Sequence, residues 1–277
     1  MLAIQVETED HRPRMSLRIL FLGDVIGEPG RRGISSQLSD IRQELELDFV
    51  IANGENSAGG RGITPKITIE LLRAGVAVIT SGDHIWDQGE IVSHFELEPR
   101  LLRPLNYPLG TPGAGSIVLE TKKGKVGVLN AQGRTFMKQE LENPFLAVAA
   151  EVEKLREETP ILVLDFHAEA TSEKVAMGRF LDGQVSLVVG THTHVQTADE
   201  TIFPGGTAYL TDAGMCGPVN SIIGSGINPI IQKFRTSMPA RFQMATGDVE
   251  LRGVWVDVDE AGKALRIERF CRVVEAD

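Results

Sequence analysis

The sequence predicts an α/β domain in which two facing sheets carry helices on their outer sides. Two observations support this fold class: short apolar runs alternate with amphipathic helical patterns, and each run ends at a polar, often glycine-containing tip. A third is that the last part of the chain alternates like an antiparallel strand pair. With 277 residues, 42% of them hydrophobic, the chain is long enough to bury a substantial core.

The first part of the chain repeats one unit three times, a strand followed by a polar tip and a helix. The helical spacing of Ile34, Leu38, Ile41 and Leu45 places these side chains on one face. The predicted strands are 17–22, 49–52 and 76–80. The predicted helices are 31–47, 65–74 and a short helical run at 91–92.

The second part begins with an irregular segment, 101–115, which has too many prolines and glycines for regular structure. After it we predict strands at 116–120, 126–130, 161–164, 185–189, 249–258 and 265–273, and helices at 144–157 and 172–181. Residues 1–14 are polar and aperiodic, and we predict a disordered extension there. Residues 15–277 then form the domain, which could include a small cap within 63–103.

Composition excludes several classes of protein. A net charge of −10 argues against a large nucleic-acid surface, which needs clustered Lys and Arg, but a small anionic substrate stays compatible with it. Cys216 and Cys271 form no CxxC motif and no disulfide framework. The sequence has no long apolar span and no signal-peptide pattern, so we expect a cytoplasmic protein without membrane association.

Metal-ligating side chains follow the predicted core strands. They are Asp24, Glu55, Asn56, Asp83, His84, His167, His192 and His194. Ligands bind at the carboxyl ends of strands in open α/β sheets, and carboxylate and imidazole groups suit first-row divalent ions. A lone HxH pair is more often an ordinary surface loop, but four of the six histidines lie on these tips. The pattern therefore favours a metal site over a merely polar set of loops.

The number of candidates bears on how many ions are bound. Four or five of these groups could serve one ion, whereas all eight suit two ions about 3.5–4 Å apart. Such a pair polarises a phosphoryl group, makes a hydroxide available at neutral pH and stabilises the leaving oxygen. The sequence therefore indicates hydrolysis of a phosphate ester.

Long sequence blocks resemble the YmdB family of bacterial phosphodiesterases, within the calcineurin-like metallophosphoesterases. The blocks are GDVIGEPGR, NGENSAGGRGIT, LLRPLNYPLGTPG, NAQGRTFM, DFHAEATSEK, VVGTHTHVQTAD and TDAGMCGP. The likeness runs from Met15 almost to the C-terminus. It implies a layered α/β/β/α sandwich and a 2′,3′-cyclic-nucleotide 2′-phosphodiesterase, in which metal-activated hydroxide attacks phosphorus. It also implies two divalent or mixed-valence first-row ions, with iron or manganese favoured over zinc, and we expect a homo-oligomer.

The resemblance also implies a role for each site residue. Asp24, Asn56 and His194 would bind the first metal, and Glu55 would bridge the two ions. The second metal would be held by Asp83, His167 and His192. His84 would face the phosphate, either as a proton donor to the leaving oxygen or as a charge stabiliser.

The chain departs from the superfamily pattern at Asp83, where the GNH motif has Asn. A third carboxylate beside Asp24 and Glu55 lowers the formal charge of a two-ion site from +2 to +1. We expect tighter metal binding, weaker phosphate binding and an altered preference among esters.

Several other residues admit two interpretations. Arg61 could reach a phosphate or belong to an ordinary mobile loop, and Glu169 could orient a ligand histidine or simply precede a helix. Cys216 is not expected to be a nucleophile. Apart from the cyclic-nucleotide phosphodiesterase, two functions are open: a phosphomonoesterase or other phosphodiesterase, and a regulator that binds metal or nucleotide without turnover.

Overall fold

The computed structural model describes residues 16–241 and 243–276, so the predicted extension at 1–14 lies outside the described residues. In chain order the strands are β1 (Leu17–Leu22), β2 (Asp24–Val25), β3 (Phe49–Asn53), β4 (Val78–Thr80), β5 (Ser116–Thr121), β6 (Gly124–Gln132), β7 (Leu162–His167), β8 (Leu187–Thr191), β9 (Thr201–Ile202), β10 (Ala208–Leu210), β11 (Met215–Pro218), β12 (Val249–Val258) and β13 (Ala264–Val274). The helices are α1 (Gly27–Glu44), α2 (Pro65–Ala74), α3 (Ile91–His94), α4 (Pro144–Leu155), α5 (Thr171–Phe180) and α6 (Ile227–Thr236).

The strands form two sheets. The first has the order β2-β11-β12-β1-β3-β4, with β13 paired to β12, and the second has the order β5-β6-β7-β8-β10-β9. In the first sheet β1, β3 and β4 are parallel, and in the second sheet β6, β7, β8 and β10 are parallel. In each sheet the carboxyl ends of these parallel strands therefore lie along one edge.

The core has three layers of apolar side chains, which follow from the two-residue period of the strands. In β1, Leu17, Ile19 and Phe21 pack into the layer between the two sheets, while Leu20 and Leu22 pack with α1 and α2 on the other side. A third layer joins the second sheet to α4 and α5. The predicted α/β/β/α sandwich is therefore confirmed.

Helix α1 begins earlier than the periodicity predicted, at Gly27 instead of Arg31. Its first two turns contain three glycines, which carry no apolar signal. A Cβ at Gly30 would collide with the carbonyl oxygen of Cys216, so this glycine permits close contact between the helix and β11. The last strand pair forms as predicted, but β12 lies beside β1 within the first sheet. Because of this position both faces of β12 contribute to the core, with Leu251 and Trp255 on one side and Val254 and Val256 on the other.

Residues 101–115 form only isolated bridges, as expected from their composition. Within 63–103, where a cap was predicted, the chain forms α2, β4 and α3, and the cap stays a prediction. Helix α6 was not foreseen. Among the described residues, no helix is long and apolar enough to span a lipid bilayer.

Candidate metal centre

Four predicted ligands from both sheets meet at the shared edge. Ligand atoms of Glu55, Asp83, His167 and His192 all lie within 4.8 Å of one another. The first two follow β3 and β4, while the histidines follow or end β7 and β8. Space for this cluster depends on Gly82, where a Cβ would collide with the His167 ring and the Glu55 carboxylate.

The separations within this cluster match the coordination sphere of a first-row ion. His167 Nε2 lies 3.0 Å from His192 Nδ1, 3.1 Å from Asp83 Oδ1 and 3.3 Å from Glu55 Oε1. His192 Nδ1 lies 3.4 Å from Asp83 Oδ1. Ligand atoms at about 2.1 Å from one ion, at octahedral or tetrahedral angles, are separated by about 3.0–3.4 Å. These four residues therefore fit one metal ion.

The other three predicted ligands are Asp24, which is close enough to Glu55 to repel its charge, Asn56, which follows Glu55 in the chain, and His194. His194 Nε2 lies 3.8 Å from Asp24 Oδ1. Asp24 Oδ1 and Asn56 Oδ1 are both buried and have no hydrogen-bond partner within the described part of the chain. Buried oxygen acceptors are almost always satisfied, and two unsatisfied acceptors, one of them 3.8 Å from an imidazole nitrogen, suit a second cation.

Hydrogen bonds fix the ligand nitrogen of His167. The Thr191 hydroxyl donates to Asp165 Oδ1 over 2.7 Å, so its oxygen accepts from His167 Nδ1 over 2.9 Å. The Nε2 lone pair is then directed at the cluster, as metal-binding histidines require. For His192, Nε2 lies 3.1 Å from Glu169 Oε2, which leaves Nδ1 facing the cluster. This contact favours the ligand-orienting interpretation of Glu169.

The loop after β8 holds both of its histidines in an unusual backbone conformation. His192 has φ 101° and His194 has φ 65°, in the left-handed region that non-glycine residues rarely adopt. Asp212 Oδ2 accepts from the Thr193 backbone N–H and hydroxyl at 3.2 and 2.8 Å and from the buried Lys174 Nζ at 2.7 Å. This buried ion pair therefore stabilises the strained loop.

Electrostatics in the metal-free protein favour cation binding. Burial and repulsion from Asp212 raise the pKa of Asp24 to about 7, and burial with repulsion from Asp83 raises the pKa of Glu55 well above its ordinary value. Burial alone would raise the pKa of Asp83, but its polar contacts with the two cluster histidines outweigh burial and hold this pKa far below its ordinary value. Burial lowers the pKa of His167 to about 3, so this ring is neutral and able to bind metal.

His84 lies beside the cluster but is oriented by other groups. Its Nδ1 is 3.1 Å from Asp87 Oδ2 and 3.4 Å from Arg61 Nη2, and its backbone N–H donates to Glu55 Oε2 over 3.1 Å. Burial, with repulsion from Arg61, lowers the pKa of His84 although Asp83 and Asp87 oppose this shift. The ring is therefore held by Nδ1, with Nε2 left toward the ligand cluster, 4.0 Å from Asp83 Oδ2.

Four supporting residues were not singled out from the sequence. Asp165 could have been found because it lies two residues before His167 on a strand, where both side chains point the same way. Thr191, Lys174 and Asp212 carried no recognisable signal. Burial raises the pKa of the Cys216 thiol to about 12, in keeping with the expectation that it is not a nucleophile.

Comparison with known proteins identifies the family. The model of the family described as YmdB-like protein matches residues 20–270. The chain belongs to the YmdB family. Among YmdB relatives, the 2′,3′-cyclic-nucleotide 2′-phosphodiesterase of Bacillus subtilis is 46% identical over 255 residues, which cover 92% of this chain and 96% of the relative.

Two solved structures share this YmdB fold. One, from Thermus thermophilus, is described as a hypothetical protein and superposes with a TM-score of 0.87 at 41% identity, over 94% of this chain and 100% of the other. The second, described as a novel phosphatase from Mycoplasma pneumoniae, has a TM-score of 0.88 at 36% identity and 94% coverage of both chains. The family predicted from the sequence is therefore confirmed.

Metal affinity is expected to increase with pH between about 6 and 8, because metal-binding carboxylates must be ionised. Below a pKa of about 7, Asp24 is protonated in the metal-free protein and must release its proton when an ion binds. Calorimetric titration of metal-free protein with Mn²⁺, in buffers of different ionisation enthalpy, measures both affinity and proton release. The variant Asp24→Asn should lose this component of the proton release, whereas Asp40→Asn, on an exposed part of α1, should keep it. An affinity independent of pH would contradict the prediction.

Proposed function

We propose that this protein is a metal-dependent phosphodiesterase that hydrolyses 2′,3′-cyclic nucleotides at a centre of two first-row ions. The observation that carries the proposal is the set of ligand-atom separations around Glu55, Asp83, His167 and His192, beside the unsatisfied oxygens of Asp24 and Asn56. The similarity to the Bacillus subtilis enzyme supports the choice of substrate.

Each ion would have its own ligands. Asp24, Asn56 and His194 would hold the first, and Asp83, His167 and His192 the second, with Glu55 shared between them. The two oxygens of Glu55 already face different neighbours, since Oε1 lies near His167 and Oε2 accepts from the His84 backbone. When bound, such a pair polarises a phosphoryl group and activates water at neutral pH. Iron or manganese suits this mixed oxygen and nitrogen donor set, and zinc is compatible with it.

The remaining chemistry belongs to side chains beside the ions. His84 would donate a proton from Nε2 to the leaving ribose oxygen, while Asp87 holds its Nδ1 side. Arg61 lies within reach of both residues and adds positive charge where a phosphate would enter.

A panel of phosphoesters and metals tests the proposal. Purified protein is loaded in turn with iron, manganese and zinc and assayed on 2′,3′-cyclic AMP, 3′,5′-cyclic AMP and an aryl phosphate. We expect about two ions per chain and preferred turnover of the 2′,3′-cyclic ester. Preference for the aryl phosphate or for 3′,5′-cyclic AMP would favour the other phosphoesterases, and tight binding without turnover would favour a regulator. Failure to bind metal under replete conditions would overturn the proposal.

The proposal also includes the location of the protein in the cell and its oligomeric state. We propose a cytoplasmic homo-oligomer, in keeping with two cysteines that form no disulfide and with exposed apolar side chains such as Leu109 and Phe136. Sedimentation of the purified protein measures the oligomeric state, and a monomer at all concentrations would contradict that part.

The variant Asp83→Asn is expected to keep or raise activity. Asn has the same shape and can still place its oxygen near His167 and His192, while removal of one negative charge strengthens attraction for the phosphate. We expect kcat/KM to be unchanged or raised by up to about tenfold, equivalent to about 1.4 kcal/mol, with stronger inhibition by inorganic phosphate. Asp40→Asn should change neither quantity. Complete loss of turnover with both ions still bound would refute this role of Asp83.

A further inference from the structure

A cavity of about 500 Å³ adjoins the metal centre. Asn56, His84 and His194 line it on the side of the metal centre. Its other walls are mostly apolar and include Ile223, Phe234 and Met244. Small-molecule sites in proteins have volumes of about 300–1,000 Å³, so this cavity could hold one nucleotide.

Helix α6 supplies the outer wall and has an uncovered apolar face. Ile227, Ile230, Ile231 and Phe234 have the spacing of one helical stripe, yet no residue of α6 is buried. Ile230 and Phe234 line the cavity, and the Phe234 side chain is 82% exposed. An aromatic ring is therefore presented to a space that opens onto the metal ligands.

The segment that carries α6 is attached to the metal centre. The carbonyl oxygen of Ile223 lies 3.3 Å from His194 Nδ1, and Ile223 itself adopts a positive φ of 45°. After the helix, Met244 packs against Gly27 and Gly60. The apolar wall therefore has a defined position relative to the ligands.

The charge and shape of the cavity indicate which kind of ligand it binds. The charged residues that line the cavity are Arg61 and Lys233, both cationic, and the described lining contains no carboxylate. A ligand with an anionic end at the metal centre and a flat apolar end at α6 matches this arrangement. A protein partner seated here would block access to His84, which the proposed chemistry needs exposed.

We propose that the cavity binds the base of the substrate nucleoside, with Phe234 stacked on the base and Ile223 and Met244 packed around it. This inference rests on the proposed function, because it places the cyclic phosphate at the metal centre. Stacking on an aromatic ring tolerates any base, so the cavity selects nucleosides over simple alcohols without selecting one base.

The test compares two substrates that differ only in the base, adenosine 2′,3′-cyclic phosphate and ribose 2,3-cyclic phosphate. The variant Phe234→Ala should lower kcat/KM for the adenosine ester by about tenfold and leave that for the ribose ester unchanged. Ile231→Ala is the matched control, since it removes an exposed apolar side chain from α6 that does not line the cavity; it should change neither value.

Binding of adenosine 3′-monophosphate, measured by calorimetry, tests the cavity independently of turnover. Phe234→Ala should weaken this binding by about tenfold, and Ile231→Ala should not. If wild-type protein hydrolyses neither cyclic ester, the proposed function fails, while the nucleotide titration still decides the base site. The inference is overturned if Phe234→Ala changes neither substrate or both equally. It is also overturned if Phe234→Ala and Ile231→Ala both convert an oligomer to monomers, because α6 would then be a subunit interface.

Discussion

Glu55→Gln is expected to remove at least one ion per chain and to lower kcat by about a thousandfold or more, equivalent to about 4 kcal/mol. The physical reason is that Glu55 is the ligand proposed to be shared by both ions, with Oε1 3.3 Å from His167 Nε2 and Oε2 bound to the His84 backbone N–H. The neutral amide offers one oxygen and no negative charge, so it holds two cations far more weakly than the carboxylate does. Metal content by elemental analysis and steady-state turnover of 2′,3′-cyclic AMP measure the two effects.

The control for this variant is Glu153→Gln, an exposed position of α4, which should keep both ions and full turnover. Thermal unfolding in a chelator separates metal loss from misfolding. Because burial raises the pKa of Glu55 well above its ordinary value, ionisation of this carboxyl in the metal-free protein costs stability at high pH. Metal-free Glu55→Gln should therefore unfold at the same temperature as metal-free wild type, or at a higher one. A variant with two ions and normal turnover would exclude the bridging role.

The layered fold could be predicted because the parallel strands of the two sheets are buried on both faces. Such strands read as continuous apolar runs, as in 17–22 and 161–164. The start of α1 and the position of β12 beside β1 could not be predicted from apolar runs. The helix begins with Gly27, which lies against Met244, and Gly30, which allows close contact with β11. Glycines give no periodic apolar signal.

The arrangement of the candidate site follows partly from the topology of the two sheets. Strand order brings the residues after β3, β4, β7 and β8 to one edge, so polar residues that are far apart in the sequence form one ligand cluster. The seven ligand candidates and His84 all lie at that edge. The assignment of each ligand to one ion came from the family resemblance, and it stays a prediction.

What sequence could not supply is the set of contacts that hold the ligands in place. Lys174 lies on a surface helix of low amphipathicity, yet its ammonium is buried against Asp212. Removal of either partner would leave an uncompensated buried charge. Such pairing joins positions 38 residues apart, and no local pattern encodes it. Helix α6 was missed for a related reason, because its apolar stripe is short and packs on no core.

The negative charge of the centre couples metal binding to the stability of the fold. Asp24, Glu55 and Asp83 are three carboxylates in a small volume, and two of them resist ionisation through their raised pKa values. Bound divalent ions reverse this resistance, because their positive charge compensates the negative charge of carboxylates that are otherwise costly to ionise in a buried site. Metal binding should thus stabilise the fold as well as enable catalysis.

His84→Ala is expected to lower kcat for 2′,3′-cyclic AMP by about 10²–10³-fold, within the range for loss of a general acid. Both ions should stay bound, because the His84 backbone N–H that donates to Glu55 Oε2 is unchanged by the substitution. Asp87→Asn should give a smaller loss, since it removes the charge beside Nδ1 but leaves the ring in place. Elemental analysis and steady-state kinetics on the three proteins provide these values.

Two substrates with different leaving groups distinguish the two possible roles of His84, proton donation and charge stabilisation. Expulsion of a ribose oxygen requires a proton, whereas 4-nitrophenolate leaves without one, so a proton donor matters far more for the first. With bis(4-nitrophenyl) phosphate, His84→Ala should therefore lose little activity. Equal losses on both substrates would instead assign His84 to charge stabilisation of the phosphoryl group, because that contribution does not depend on the leaving oxygen. For the donor role the His84 ring must carry protons on both nitrogens, with Nδ1–H toward Asp87 and Nε2–H toward the substrate. The carboxylates of Asp83 and Asp87 favour this charged form against the effect of burial.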